Sequence, residues 1–305
     1  MSNETDMAGA LGVKLPHEPL LTSAPLAKNA AETLCHRSTK SGPDEDCAWY
    51  HGYWQYLRIL GIVATPERHA DFYARALGGL AASGQYRRIL ISANADYAML
   101  AHLLLAYGEA AKNLSITAMD ICETPLMLCK WYAERHGIEI ETEACDILEW
   151  QTEKRFDLIV THSFLPMLPA AARQALMTKW RQVLRPGGKV VTTTRINPDW
   201  TEAQIKPDDE RVTAFRESAR REALKWHDVI DIDTDQLAEA AGNYIRRRKH
   251  YSLRSESELR TLFNEADFAF DRFDLVAVKG KFSPSQSGPG TSQSATYAEF
   301  VATRA

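Results

Sequence analysis

Three strand-like segments between residues 88 and 149 constrain the fold of this chain more than any other feature of the sequence. They cover residues 88–92, 114–119 and 138–143, and the second and third lead into Asp120 and Asp146. In a doubly wound parallel sheet, ligands bind outside the carboxyl ends of the strands, near the point where strand order reverses. A carboxylate directly after the second strand can accept hydrogen bonds from a ribose diol, which indicates a cofactor that contains a nucleoside.

The rest of the pattern extends this sheet. Residues 156–161 form a near-continuous apolar run, typical of a strand buried on both faces, and a fifth strand at 189–195 follows the turn at 184–188. The last two strands, 268–278 and 296–303, are joined only by a loop and are therefore expected to pair antiparallel. The predicted fold class is α/β, with a doubly wound, mostly parallel seven-stranded sheet and an antiparallel last strand.

Composition shifts divide the chain. Residues 1–40 lack sustained periodicity and are predicted to be a mobile tail or lid, whereas 41–84 have helical spacing and are predicted to form a helical cap. Residues 85–305 are expected to form the cofactor-binding domain, with a charged helical insertion at 197–250. Thr124 is expected to be the N-cap of the helix after Asp120.

Charge and hydropathy exclude several classes of partner. The 305 residues are 45% hydrophobic and carry a net charge of −4, so no broad basic field favours nucleic acid. The basic run at 246–250 is interpreted as a solvated helix end. No apolar stretch is long enough to span a bilayer, and a cytoplasmic location is expected.

The five cysteines are odd in number, scattered, and without C-x-x-C spacing. This usage favours a reducing compartment and predicts neither a disulfide framework nor a zinc site. No metal ligand is therefore assigned from the sequence.

The order of these features resembles the class I S-adenosylmethionine (SAM)-dependent methyltransferases, from residue 85 to residue 305. The resemblance rests on the first strand–helix turn, Asp120, Asp146, the strand at 156–161, the Leu-Arg-Pro-Gly-Gly turn at 184–188 and the terminal hairpin. It implies the seven-stranded fold of that family, with SAM as the cofactor.

The resemblance also assigns cofactor-binding residues by position. It implies that the turn after the first strand approaches the methionine part of SAM and that the end of the second strand binds the ribose. The end of the third strand would bind the adenine, and the fourth strand would end near the transferred methyl group. In chain order, the residues implied are Ser92, Ala93, Asn94, Ala95, Tyr97, Asp120, Ile121, Asp146, Ile147 and Thr161. The alternative for Asp120 and Asp146 is that they are solvated loop carboxylates.

The first turn departs from the family pattern. The family normally has glycines there, because the backbone must approach the cofactor closely in unusual φ/ψ, whereas this chain has Ala93, Ala95 and Tyr97. The usual acidic residue within the first strand is replaced by Ile91 or Ser92. Alanine at a positive φ costs about 1 kcal/mol, and Asn94 adopts such a conformation more readily.

Candidate catalytic residues are His162, Tyr50 and His51, with His17 and His36 as further histidines able to act as bases. His162 could instead satisfy backbone groups at a strand end. Candidate substrate-binding residues are Asp44, Trp54, Arg58 and Arg195, because an arginine can bind a carboxylate bidentately and an aspartate can bind an ammonium group. The row of Tyr50, Trp54 and Arg58 could equally serve helix packing.

The predicted function is methylation of a small metabolite, most specifically S-methylation of an amino acid thioether such as methionine, as in bacterial methionine S-methyltransferases. O- or N-methylation of another metabolite and a non-catalytic binding protein on the same fold remain alternatives. A dehydrogenase is disfavoured, because no G-x-G-x-x-G follows the first strand. Aromatic residues in the front helices make a homodimer a reasonable hypothesis.

Overall fold

Seven strands form one sheet in the computed structural model, which describes residues 19–35, 46–201, 207–279 and 294–305. The strands are β1 (Arg88–Ser92), β2 (Ser115–Asp120), β3 (Glu141–Ala144), β4 (Phe156–Val160), β5 (Leu184–Ile196), β6 (Phe268–Lys279) and β7 (Ser294–Arg304). Their order is β3-β2-β1-β4-β5-β7-β6. The pairs among β1 to β5 are parallel, whereas β7 is antiparallel to both of its neighbours. The predicted fold class is confirmed.

Helices cover both faces of this sheet. They are α1 (Leu20–Leu34), α2 (Ala48–Ile59), α3 (Ala70–Ser83), α4 (Ala98–Tyr107), α5 (Glu123–Arg135), α6 (Ala170–Val183), α7 (Asp209–Leu224), α8 (Thr234–Arg247) and α9 (Glu256–Asn264). Alternate residues of β1 point to opposite faces: Ile89 and Ile91 join the core beneath α1 to α5, and Leu90 joins the core beneath α6 and α9. Two apolar layers therefore support the sheet.

The segment predicted as a mobile tail contains a packed helix, α1. Leu20, Ala24, Ala27 and Ala31 are buried along it at spacings of three and four residues. Small side chains on this stripe let α1 approach α2 closely, since a Cβ added at Gly52 would lie 3.2 Å from the Cβ of Ala31. The helix is encoded by a stripe of alanines. Because alanine differs little in hydropathy from its polar neighbours, the sequence pattern did not predict this helix.

The start of helix α5 and the start of strand β5 differ from the sequence-based expectations. Helix α5 begins at Glu123 with Cys122 as N-cap residue, so Thr124 lies inside the first turn and does not cap the helix. Strand β5 begins earlier than expected, and Gly188 lies in it where a Cβ would meet the carbonyl oxygen of Arg185 at 2.8 Å. The close backbone approach explains the glycine.

The insertion and the cap meet above the carboxyl ends of the strands. Helices α7 and α8 pack on each other, and α8 packs on α2. Asp208 caps α7 by accepting a hydrogen bond from the Arg211 N–H, and Asp233 caps α8 by accepting from the N–H groups of Asp235 and Gln236. Within the described ranges, the helices all fall short of the length and apolarity that crossing a membrane requires.

Candidate active site

A cavity of about 450 Å³ lies at the carboxyl ends of β1, β2, β4 and β5, where the strand order reverses between β1 and β4. Its floor is formed by the loops after these strands, and its roof by α2 and by the end of α8. The walls are mainly apolar, with a few convergent polar groups. This location is the one expected for a ligand site on an open α/β sheet.

The first turn adopts the left-handed backbone conformation although it lacks glycine. Ala93 has φ = 63°, and its N–H donates to the carbonyl oxygen of Met119 at 3.0 Å. The side-chain amide of Asn94 donates to the same oxygen at 2.8 Å. Ala93 therefore takes the positive φ that the sequence assigned more readily to Asn94, while Asn94 ties the turn to β2.

Asp120 joins the loops after β1 and β2. Its Oδ2 accepts a hydrogen bond from the Asn94 N–H at 3.0 Å, and its Oδ1 accepts one from the Cys122 N–H at 2.9 Å. Burial raises the pKa of Asp120 to about 6, although the charge of His51 and these hydrogen bonds oppose the shift. Ile121, 47% exposed, lies beside the carboxylate on the cavity wall and offers an apolar surface for a ring.

Several residues assigned by resemblance do not line the cavity. Tyr97 is fully buried, stacks on Tyr132 at 4.6 Å and has its hydroxyl oxygen 2.9 Å from that of Ser23. Ser92 and Thr161 are also fully buried, and Ile147 belongs to the core on the opposite face of the sheet. Asp146 accepts a hydrogen bond from the Leu148 N–H at 2.9 Å. The structure thus brings Ala93, Asn94, Ala95, Asp120 and Ile121 to the cavity, but not these five.

His162 lies on the cavity wall at the end of β4. Its Nδ1 is 3.1 Å from the hydroxyl oxygens of both Tyr73 and Thr193. Burial and the neighbouring His69 and His102 hold the pKa of His162 well below its usual value, so the ring is neutral near pH 7. A neutral imidazole with so low a pKa is a weak base.

Arg58, a candidate for substrate contact, is instead paired inside the protein. Its Nη1 donates to Oδ2 of Asp96 at 2.8 Å, and the two side chains are 1% and 3% exposed. The other carboxylate oxygen of Asp96 accepts from the Ala98 N–H at 2.6 Å, at the start of α4. The pair joins the cap helix α2 to the loop that carries Ala93.

Aromatic side chains form the roof. Tyr50 and Trp54 of α2 line the cavity, and the Tyr50 ring stacks on that of Tyr244 from α8 with centroids 6.0 Å apart and an interplanar angle of 18°. Burial and the neighbouring Tyr244 and Asp96 raise the pKa of Tyr50 well above its usual value, so its hydroxyl keeps its proton. The candidate row Tyr50, Trp54 and Arg58 is therefore divided between the cavity and the core.

Two arginines and a histidine lie together on the opposite wall. Arg195 from β5, Arg248 after α8 and His250 all line the cavity. Burial and the charges of Arg248 and Arg195 lower the pKa of His250 to about 2, and burial also lowers the pKa of Arg195. The Nε of Arg195 is buried and makes no hydrogen bond to any residue that the structure describes. This wall is suited to an anionic group.

The fold also brings together three cysteines that are distant in sequence. The ligand atoms of Cys35, Cys47, His51 and Cys122 all lie within 4.8 Å of one another. Contacts from the Cys35 and Cys47 thiols lower the pKa of the Cys122 thiol well below its usual range. Burial would lower the pKa of His51, but hydrogen bonds with Cys122 and Cys35 raise it to about 10. The His51 ring is thus hydrogen-bonded to the cysteine cluster.

Sequence reasoning missed Tyr244, Arg248, His250 and the cysteine cluster. The basic run at 246–250 is solvated only in part: Arg246 and Arg247 are exposed, but Arg248 and His250 line the cavity. A signal for the cluster was the spacing of Cys47 and His51, four residues apart on one helical face. Asp44, His17 and His36 lie outside the described residues.

Comparison with known proteins gives a family match in the centre of the chain. Residues 99–188 match the model of a methyltransferase domain. No curated protein sequence matches the chain.

Solved structures are similar to the chain at low sequence identity. A putative sarcosine dimethylglycine methyltransferase from Galdieria sulphuraria is 12% identical with a TM-score of 0.49, over 82% of this chain and 97% of that one. Magnesium protoporphyrin IX methyltransferase from Synechocystis PCC 6803, solved with bound SAH, is 11% identical with a TM-score of 0.48, over 83% and 94%. TehB from Haemophilus influenzae is 12% identical with a TM-score of 0.46, over 75% of this chain and 62% of TehB.

Proposed function

We propose that this chain, which carries a class I SAM-dependent methyltransferase domain, methylates a small metabolite bearing a carboxylate. The observation that carries the proposal is the arrangement of the cavity. Cofactor-side groups, Asp120 and the left-handed turn at Ala93, form one wall, and Arg195 with Arg248 forms the other. A roof of aromatic rings leaves room for a small acceptor between the two walls.

The residues on the cofactor side fit SAM. The carboxylate of Asp120 is directly after β2, and each oxygen keeps a lone pair beyond the one used by a backbone N–H, so it can accept from ribose hydroxyls. Ile121 offers the adenine ring an apolar surface, and the turn at Ala93 exposes backbone to the methionine part. SAM supplies a methyl group on a cationic sulfur.

On the acceptor side, the protein aligns the substrate with that methyl group. Methyl transfer is an in-line displacement, so holding the nucleophile close and collinear with the departing sulfur is the main requirement. Arg195 can bind a substrate carboxylate while Tyr50, Trp54 and Tyr244 confine the apolar part. Exclusion of water by these rings strengthens the charge interactions.

The acceptor atom we favour is the sulfur of an amino acid thioether such as methionine. A thioether loses no proton on methylation, and the cavity offers no efficient base among its candidates: His162 is a weak base, Tyr50 keeps its proton and His51 is engaged by cysteines. An O- or N-methyltransferase would need a proton acceptor. Such an activity would show a pH–rate profile governed by a single basic group.

The proposal is tested by measuring SAH formation from SAM with L-methionine, L-methionine methyl ester and 3-(methylthio)propylamine. We expect the acid to be methylated, and the two analogues without a carboxylate to lose about 10- to 100-fold in kcat/KM, the value of one charged hydrogen-bonded pair. Arg195→Met should lower kcat/KM for the acid similarly. The exposed Arg221→Met serves as matched control and should be unaffected.

Calorimetric titration with SAH separates the remaining alternatives. Binding by the wild type and at least tenfold weaker binding by Asp120→Ala are expected, while the exposed Asp209→Ala should bind like the wild type. SAH binding without turnover of any thioether acid would refute the proposed substrate. Absence of SAH binding by a folded protein would favour a non-catalytic binding protein.

A further inference from the structure

Cys35, Cys47, His51 and Cys122 form a compact Cys₃His set at the junction of three helices. Cys35 directly follows α1, Cys47 is the N-cap residue of α2 with His51 one turn later, and Cys122 is the N-cap residue of α5. Cys35, His51 and Cys122 are buried, and Cys47 is partly buried. The set therefore lies where the cap meets the carboxyl end of β2.

The distances suit a tetrahedral metal centre. The Sγ atoms of Cys35 and Cys122 are 3.7 Å apart, and Sγ of Cys35 is 3.7 Å from Nδ1 of His51. Zinc binds thiolate sulfur at about 2.3 Å and imidazole nitrogen at about 2.0 Å, so two ligands of a tetrahedral site lie about 3.5–3.8 Å apart. A disulfide would need sulfur atoms about 2.05 Å apart, and these cysteines are free.

The surroundings of the four ligands are those of a structural zinc site. The hydroxyl of Thr124 lies 3.2 Å from Sγ of Cys35 and can hydrogen-bond a thiolate sulfur. Cys47 and Cys122 both lie at helix N-termini, where the helix dipole favours a negative charge on sulfur. Four protein ligands close the coordination sphere, which is typical of structural rather than catalytic zinc.

We propose that Cys35, Cys47, His51 and Cys122 bind one Zn²⁺ ion that links the cap to the loop at the carboxyl end of β2. Two ligands come from α2 and one follows α1, whereas Cys122 comes from the β2–α5 loop, and its backbone N–H donates to Oδ1 of Asp120 at 2.9 Å. The ion holds this loop in the conformation that presents Asp120 to a ribose. The proposal does not depend on the identity of the methyl acceptor.

Metal analysis of the purified 305-residue chain tests the site directly. Protein produced with added zinc and without chelators should contain about one zinc ion per chain by mass spectrometry. Cys35→Ser and Cys122→Ser should fall to near zero. Cys129→Ser and Cys145→Ser, which alter the other two cysteines, are the matched controls and should keep the full content.

Two measurements on the wild type keep the test valid if a variant fails to fold. Replacing zinc with Co²⁺ should produce the intense visible absorption of a tetrahedral cobalt–thiolate centre. A strong chelator should lower the thermal midpoint of the wild type, and added Zn²⁺ should restore it. Neither measurement involves methyl transfer, so failure of the zinc proposal and failure of the proposed function are separable.

Three outcomes would overturn the proposal. The first is a folded wild type that holds no stoichiometric zinc even after incubation with the ion under reducing conditions. The second is a chelator-treated protein whose thermal midpoint does not change. The third is a disulfide between Cys35 and Cys122 in peptides of the unreduced native protein.

Discussion

At the scale of single residues, Ala93 shows how the turn after β1 forms without glycine. Its φ of 63° is the conformation that a glycine would adopt with little strain, and only a methyl group is added. Hydrogen bonds from Ala93 and Asn94 to the carbonyl oxygen of Met119 hold the turn in place. The missing glycines are therefore compatible with the geometry of the site.

Ala93→Gly should stabilise the protein by about 1 kcal/mol, because it removes the strain of a left-handed alanine. The expected result is a higher urea midpoint with an unchanged slope. Ala95→Gly in the same turn has no positive φ to relieve and should destabilise by about 0.5–1 kcal/mol. Equal shifts in both variants would argue against strain at Ala93.

At the scale of secondary-structure elements, the buried pair of Arg58 and Asp96 couples α2 to the start of α4. The pair is almost inaccessible, and Asp96 also accepts the Ala98 N–H. A charge in such a position is stable only while its partner remains. The pair thus links the cap to the loop after β1.

Arg58→Met should destabilise by about 3–5 kcal/mol, because it leaves Asp96 buried and unpaired. The double variant Arg58→Met/Asp96→Asn should recover part of this loss, since asparagine still accepts from the Ala98 N–H without a charge. Urea unfolding of the wild type, the single variants Arg58→Met and Asp96→Asn, and the double variant gives the coupling free energy. As a control, Lys112→Met removes the exposed ion pair with Glu109 and should leave the urea midpoint unchanged. Strictly additive effects of the Arg58 and Asp96 substitutions would contradict the coupling.

At the scale of the whole molecule, folding places His250 among Arg195, Arg211 and Arg248. Burial and these charges lower the pKa of His250 to about 2 in the folded state, against about 6.5 in an unfolded chain. The unfolded state therefore binds more protons between these pH values. Stability from the neutral ring is present above pH 6.5 and is lost as the pH falls below it.

His250→Gln should reduce the loss of stability in acid. Between pH 8 and pH 5 we expect the wild type to lose about 2 kcal/mol more than the variant, which is 1.5 pH units of a single unshared proton. Urea unfolding at several pH values measures the difference. As a control, Ser252→Ala removes the hydroxyl that lies 3.1 Å from Nδ1 of His250 and should keep the wild-type dependence of unfolding free energy on pH. Parallel pH profiles for the wild type and His250→Gln would contradict the prediction.

Sequence patterns were sufficient to predict the sheet and the position of Asp120 at the carboxyl end of β2. Strand alternation, apolar runs and turn residues are local properties, so they predicted the seven strands, the antiparallel final strand and the position of Asp120 at the end of β2. They predicted α1 poorly, because an alanine stripe differs little in hydropathy from a loop. Placement of Ile147 and Tyr97 by family position did not reveal which face of the sheet each side chain would pack against.

The amino-acid sequence alone determined the fold class, the match of residues 99–188 to a methyltransferase domain, and the polar residues at the carboxyl ends of the strands, because each of these follows from short segments read in order. Only the tertiary structure decided which distant side chains meet. Cys35, Cys47 and Cys122 come together, Arg58 finds Asp96, and Arg248 turns toward Arg195, because α2 and α8 fold back over the carboxyl ends of the strands. Such contacts depend on the path of the backbone between elements, which the spacing of residues in a sequence does not encode.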